Sequence, residues 1–279
     1  MTYRYTHVRS ADGTSIAYRA YGSGPGIVLL HGGAGAAQSF DKLATLLADT
    51  FAVFVPDRRG RGKSGAFRPN HGLATEAEDL DAVLAETGAH DVFGLSSGAV
   101  IALYAAARLS RITKLALYEP PVIVSGAQPD RFASRFLRAL DRGDVGGALA
   151  EALAGTADRG SWFARIPRVV MRALLRFAIK REHANGDRIP IRELVPTLRQ
   201  DIAMIRELDV ADASTITAEV LLLGGTHSMR DLQRGLDALA RALPSATRVA
   251  INGVGHTAAL DEDQPERVAT ELRAFFAAG

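Results

Sequence analysis

The chain has 279 residues, 47% hydrophobic and 23% charged, the ordinary balance of a globular protein long enough to bury a substantial core. Its 33 basic and 31 acidic side chains leave a net charge of +2, which argues against a nucleic-acid partner, and the absence of cysteine excludes disulfides, thiol catalysis and cysteine metal sites. The opening MTYRYTHVRS lacks the apolar core of a signal peptide and no later run approaches the ~18 apolar residues of a membrane span, so the expectation is a cytoplasmic protein.

Two strands of alternating pattern come first, around Val8 and over Ile16 to Arg19, joined by the turn signal Asp12-Gly13. Short, continuous apolar runs then recur: IVLL at 27–30, FAVFV at 51–55, DVFGL at 91–95, KLALY at 114–118, EVLLL at 219–223 and TRVAI at 247–251. Unbroken runs of this kind suit strands covered on both faces, as in a parallel sheet. Between them lie helical patterns over Asp41–Ala48, Ala74–Thr87, Gly98–Leu109, Leu232–Ala242 and Pro265–Ala277. The alternation predicts an α/β fold with a mostly parallel, doubly wound sheet. From Pro121 to about Ala213 the rhythm breaks, leaving arginine-studded amphipathic stretches interrupted by Pro167, Pro190 and Pro196. This segment reads as an insertion of three or four helices, dividing the chain into a core of residues 1–120 and 214–279 and an insertion of residues 121–213.

The chemistry sits at the ends of the predicted strands. Gly94-Leu95-Ser96-Ser97-Gly98 matches the nucleophile-elbow pattern G-x-S-x-G between a strand and an alanine-rich helix. A serine on so tight a turn is strained, and its neighbours two residues away must lack bulk. His31-Gly32-Gly33, after IVLL, forms a turn able to aim backbone N–H groups at the same point. The N–H groups of Gly33 and Ser97 are therefore the expected oxyanion hole, with Gly32 beside the substrate and His31 a structural support. In Asn252-Gly253-Val254-Gly255-His256 a histidine follows the last strand on a glycine loop, where it would serve as the base that a serine hydroxyl needs at neutral pH. No phosphate-binding glycine loop, cofactor site or metal cluster is indicated, since His31, His227 and His256 lie on separate loops.

HGG, GLSSG and GVGHTA, together with Pro56-Asp57-Arg58-Arg59-Gly60-Arg61-Gly62-Lys63-Ser64, resemble the α/β-hydrolase fold family over nearly the whole chain outside the insertion. The resemblance implies that Asp57 and Arg58 belong to a loop that is scaffold first and pocket wall second. It also implies that the insertion is a helical cap over the site. It further implies a nucleophile–acid–base triad, and here the sequence departs from the family pattern. The usual position, in the loop Gly224-Gly225-Thr226-His227-Ser228-Met229-Arg230-Asp231, offers His227 or Ser228 where an aspartate is common. Glu119, in LALYEPP one strand earlier, matches an arrangement seen in some members, with Asp231 or a dyad without an acid as the alternatives. Serine at position 96 excludes the aspartate nucleophile of dehalogenase-like members.

Within the insertion, Arg165, Arg168, Arg172, Arg176 and Lys180 alternate with Val169, Val170, Ala173, Leu174 and Phe177, giving one helix with a basic and an apolar face. The expectation is a solvated basic face, paired in part with Asp201, Glu207 and Asp209, and an apolar side packed on the sheet domain. Trp162, Phe132 and Phe136 are candidate pocket-lining residues. The function expected from all of this is a serine hydrolase for carboxylic esters of small to medium apolar molecules, with a small-molecule ester as partner and room for a homo-oligomer. A lactonase, thioesterase, amidase or lyase on the same site, or a ligand receptor with vestigial turnover, is the alternative.

Overall fold

The computed structural model describes residues 3–123, 130–156, 166–182 and 186–278. Its strands are β1 (Arg4–Arg9), β2 (Ser15–Tyr21), β3 (Gly26–Leu30), β4 (Ala52–Pro56), β5 (Asp91–Leu95), β6 (Lys114–Tyr118), β7 (Glu219–Gly225) and β8 (Thr247–Ile251). They form one sheet in the order β1-β2-β4-β3-β5-β6-β7-β8. β1 and β2 pair antiparallel to each other and β2 pairs antiparallel to β4, whereas every pairing from β4 through β8 is parallel.

The unbroken apolar runs follow from burial on both faces. Val28, Leu30, Val92, Leu115, Leu117, Val220 and Leu222 point into one core, with α2 (Leu73–Thr87), α3 (Ser97–Ala106) and, later in the chain, the helix over Arg230–Ala242. Ile27, Leu29, Val53, Val55, Phe93, Leu95, Ala116, Tyr118, Leu221 and Leu223 point into the other, with α1 (Asp41–Leu47) and the last helix, Pro265–Ala277. Since successive strand residues face opposite sides, a strand between two helical layers has no position to give to a polar residue. Strand order reverses around β3, so the crevice outside the carboxyl ends of β3 and β5 is the natural place for a ligand.

Between β6 and β7 the described residues form α4 (Asp130–Asp141), α5 (Val145–Thr156), α6 (Arg168–Arg181), the single turn α7 (Ile191–Leu194) and α8 (Leu198–Ile205); α9 (Arg230–Ala242) and α10 (Pro265–Ala277) complete the fold. There are more pieces than the three or four predicted because the prolines subdivide the segment. Pro190 caps α7, and Pro196 sits in the first turn of the 3-10 turn at Val195–Thr197 that leads into α8.

The orientation of α6 corrects the expectation. Its apolar residues face outward, with Val169 77% exposed and Leu174 and Phe177 each 55%, while Arg172 and the exposed Arg176 reach acids of the neighbouring helix. Arg172 pairs with Glu151, and Arg176 Nε donates to Asp144 Oδ1 at 2.8 Å, both acids belonging to α5 or its approach. Those contacts hold the Asp144 carboxyl down at about 2. Close approach is possible because Gly146 has no side chain: a Cβ there would lie 2.7 Å from the Cα of Arg176. Nor do the other acids pair as expected. Asp201 meets arginines of the sheet domain, and Glu207 accepts the Leu73 N–H at the start of α2 at 3.0 Å.

Asp261 carries a pH dependence. Its Oδ1 accepts the Lys42 N–H at 2.8 Å at the start of α1. Burial, reinforced by Asp41 and Glu262, pushes its carboxyl up from 3.8 to about 6. The folded chain then holds this proton more tightly than the unfolded chain, so the stabilisation is complete below about pH 4 and fades as pH rises through about 6. Asp261→Asn, which keeps an acceptor for Lys42, is expected to raise Tm at about pH 7.5 and leave it unchanged near pH 4. Thermal unfolding at both pH values checks this; equal shifts at the two would remove the carboxylate as the cause.

Candidate active site

Ser96 stands where β5 ends and α3 begins, with φ of 54°, a conformation that side chains other than glycine rarely adopt. The backbone holds it there. Its N–H donates to the Tyr118 carbonyl at 2.9 Å, and its carbonyl accepts from Ala99 and Val100 at 2.9 and 3.1 Å as the first turn of α3 closes. The flanking glycines are required by contact. A Cβ on Gly94 would lie 2.6 Å from the Cα of Ala99, and one on Gly98 would lie 2.3 Å from the Leu30 carbonyl oxygen. The turn thus jams the start of α3 against the end of β3, lifts Ser96 into partial exposure and buries Ser97.

The loop after β3 lies against this turn. Gly32 faces Ser96: a Cβ at Gly32 would be 3.2 Å from the Ser96 Cβ and from the Leu95 carbonyl oxygen. Ala34, two residues on, has φ of 51°. His31 is fully buried, its Nε2 accepting the Arg58 N–H at 3.3 Å and its Nδ1 3.0 Å from the Gly32 carbonyl, which assigns the proton to Nδ1. Burial, with Arg61 and Arg58 nearby, keeps its pKa well below the usual histidine range, so it is a neutral brace. Asp57 ties the next loop down, accepting from the Ala37 and Lys63 N–H groups at 2.9 and 3.2 Å and from the Tyr5 hydroxyl.

Glu119 and His256 come together from the ends of β6 and β8. His256 Nδ1 is 2.7 Å from Glu119 Oε2, and Glu119 Oε1 accepts the Gly225 N–H at 2.7 Å. Glu119 is wholly buried and has φ of 46°, an unusual conformation for a glutamate. The glycine pair ending β7 makes room for it to cross. The Cα of Gly224 faces Glu119 Oε1, and a Cβ on Gly225 would lie 2.2 Å from the Val254 carbonyl oxygen. The Tyr118 hydroxyl, donating to the Gly255 carbonyl at 2.6 Å, anchors the loop that carries His256. Asp231 stays apart: its side chain is 68% exposed in the first turn of α9, paired with Arg234. His227 is exposed and Ser228 is buried in the same loop, and neither is a carboxylate that could stand in for the acid.

Of the aromatic candidates, Phe136 is fully buried among Ala133, Ala139, Ala148, Val195 and Ile202, inside the helical segment. Trp162 and the side chain of Phe132 lie outside the described residues.

One group near Ser96 has no warning in the local pattern. Arg58 donates through Nε and Nη2 to Glu76 at 3.1 and 2.9 Å, and its Nη1 reaches the His31 carbonyl and Ser97 Oγ, each at 3.3 Å. Asp201 of α8 enters the same cluster, 2.9 Å from Arg58 Nη1 and 2.6 Å from Arg61 Nη2. The arginines were visible in the loop, but an acid lying 140 residues from Arg61 leaves no local signal.

The chain belongs to the alpha/beta hydrolase family, whose profile matches residues 27–271. An alpha/beta hydrolase from Sphaerobacter thermophilus superposes with a TM-score of 0.77 at 30% identity, covering 97% of this chain and 100% of that one. The enol-lactonase from Burkholderia xenovorans shares the fold at 22% identity, with a TM-score of 0.70 over 98% of this chain and 100% of its own. Among curated relatives, the chain is 41% identical over 95 residues to the uncharacterized hydrolase YraK of Bacillus subtilis, 33% of this chain and 35% of that protein. It is 30% identical over 131 residues to a non-heme haloperoxidase of Rhodococcus erythropolis, 44% of this chain and 48% of the other. The chain thus spans between a third and a half of the curated relatives it matches.

The elbow geometry makes a direct prediction. Gly98→Ala drives a methyl group into the Leu30 carbonyl, an overpacking worth about 1–3 kcal/mol, and is expected to lower Tm by roughly 2–10 °C. Gly235→Ala, whose Cβ meets nothing closer than 3.4 Å on α9, is expected to be neutral or stabilising. Equal losses in the two melting curves would contradict the packing argument.

Proposed function

We propose that the protein is a serine hydrolase acting on carboxylic esters of small to medium apolar molecules, with Ser96 as nucleophile, His256 as base and Glu119 as acid. The observation that carries the reading is the 2.7 Å contact between His256 Nδ1 and the buried Glu119 carboxylate. An Nδ1 proton held by a carboxylate makes Nε2 the accepting nitrogen of the ring, which is the tautomer a general base requires. Ser96 Oγ attacks the ester carbonyl as His256 takes its proton, and the Gly33 and Ser97 N–H groups receive the oxyanion, each donor lowering the barrier by about 3 kcal/mol. His256 returns the proton to the departing alcohol. Water, deprotonated by the same imidazole, then attacks the acyl carbon and frees Ser96. The start of α3 adds its dipole to the stabilisation of negative charge at this point. In this reading residues 121–213 form the cap over the site.

A second reading is supported by the stretch shared with the non-heme haloperoxidase. Hydrogen peroxide would replace water in the second step, its oxygen joining the acyl carbon and a peroxy acid leaving in place of the acid. The acyl-enzyme is common to both, so adding peroxide to the assay separates them.

Covalent labelling by a fluorophosphonate and burst release from p-nitrophenyl acetate are the tests. Wild type is expected to label and Ser96→Ala to lose both labelling and turnover. Glu119→Gln keeps the shape and hydrogen-bond capacity while losing the charge, and is expected to lower kcat by up to about 10⁴-fold. A wild-type protein whose Ser96 does not label is better read as a ligand receptor on this fold, and an unaffected Glu119→Gln removes that residue from the triad.

A further inference from the structure

We infer that Asp201, from the helical segment between β6 and β7, is a positioning residue for the oxyanion hole, acting through Arg58 and through packing on Gly33. The inference rests on the serine-hydrolase reading above. Both proposed oxyanion donors, the N–H groups of Gly33 and Ser97, belong to residues that Asp201 or its immediate partner approaches, Gly33 at its Cα and Ser97 at its hydroxyl. A Cβ placed on Gly33 would be 2.4 Å from Leu198 Cδ1 and 3.4 Å from Asp201 Oδ2, so α8 lies directly on the glycine. On the other side, Arg58 Nη1 is shared between Asp201 Oδ1 at 2.9 Å, the His31 carbonyl at 3.3 Å and the Ser97 hydroxyl at 3.3 Å. One guanidinium therefore spans the end of β3 and the first residue of α3, with Glu76 on its Nε and Nη2 and Asp201 on the Nη1 that reaches them.

The carboxylate is itself tightly held. Asp201 is fully buried; Arg61 Nη2 donates to its Oδ2 at 2.6 Å, while Arg61 Nε donates to Thr197 Oγ1 at 2.9 Å in the turn that leads into α8. Burial alone would raise its pKa, but Arg61, Arg58 and a hydrogen bond with Ser97 outweigh it and keep the carboxylate ionised. Around it the cluster is Arg58 and Arg61 against Glu76 and Asp201, with His71 Nε2 3.2 Å from Glu76 Oε1. Two positive charges face two negative ones, so the oxyanion hole stands over a neutral, rigid ion cluster. Rigidity matters because a donor displaced by about 1 Å loses most of its value in the transition state, a cost of about 10²-fold in rate.

The direction of the mutant effect distinguishes positioning from simple electrostatics. Asp201→Asn removes one negative charge and leaves the cluster positive beneath the hole. If charge alone mattered, the oxyanion would gain stabilisation and kcat would rise. If Asp201 positions the donors, Arg58 keeps Glu76 but loses the carboxylate that fixes its Nη1, and kcat falls.

The experiment measures kcat and KM for p-nitrophenyl acetate, with the affinity of an alkyl boronic acid, whose tetrahedral adduct on Ser96 needs the oxyanion hole. For Asp201→Asn a fall in kcat of about 10- to 100-fold is expected, with KM within about 2-fold and boronate affinity weakened in parallel with kcat. Thr197→Val keeps every charge and removes the hydroxyl that accepts from Arg61 Nε and donates to the Leu194 carbonyl. It is expected to shift kcat and boronate affinity in the same direction by a smaller factor, and it serves as the test should Asp201→Asn not fold. Unchanged or raised kcat, or a fall in kcat with boronate affinity intact, would overturn the inference. Fluorophosphonate labelling of wild type is the control: absence of labelling at Ser96 defeats the hydrolase reading and this inference with it. Labelling in wild type with unaltered variants defeats this inference alone.

Discussion

The Glu119 carboxylate lies out of reach of water, with one oxygen on the Gly225 N–H and the other on His256 Nδ1. A buried carboxylate left without such partners costs several kcal/mol, so this contact constrains everything around it. β7 must end in glycines for the side chain to cross, the β8 loop must be drawn in for His256 to meet it, and the Tyr118 hydroxyl does the drawing through Gly255. Three strand ends are thereby locked to one another. The imidazole is presented in a fixed tautomer on a loop that would otherwise be free to wander.

Strain gathers at the same edge of the sheet. Among the described residues, four non-glycine residues have positive φ; Ser96 and Glu119 directly follow β5 and β6, and Ala34 lies in the loop that follows β3. Each such conformation costs of order 1–3 kcal/mol and survives only where its surroundings determine it. The parallel sheet supplies that determination, since its central strands are covered on both sides by helices and leave the chain reversals little freedom.

The loop over residues 57–63 is where the parts of the molecule are keyed together. Arg59 pairs with Asp79 of α2 and with Asp12 of the β1–β2 turn, Arg58 with Glu76 and Asp201, and Arg61 with Asp201. Buried ion pairs add little net stability over an apolar core, because desolvation offsets most of the attraction. What they add is geometry. The arginines bridge acids from separate elements, and those pairings hold α2, the N-terminal hairpin and α8 around the carboxyl ends of β3 and β5.

The strands and the elbow were legible in the sequence because their causes are local. A strand buried on both sides must be apolar throughout, and a serine on so sharp a turn must have glycine two residues either side. Proline, which lacks an N–H, marked where the inserted helices break, although the number of pieces exceeded the reading. Glu119 and Asp231 were equally present as letters. Only the reach of the Glu119 side chain across the glycines of β7 brings one to His256, while the other stays in solvent. An amphipathic helix does not declare which of its faces is inside: the apolar side of α6 lies exposed, while Arg172 and Arg176 meet Glu151 and Asp144, with the bare backbone of Gly146 against Arg176. Local backbone preference and burial pattern were thus carried by the order of residues, while pairings between buried charges far apart in the chain were decided by the tertiary structure, since a desolvated ion takes whichever partner the fold delivers to it.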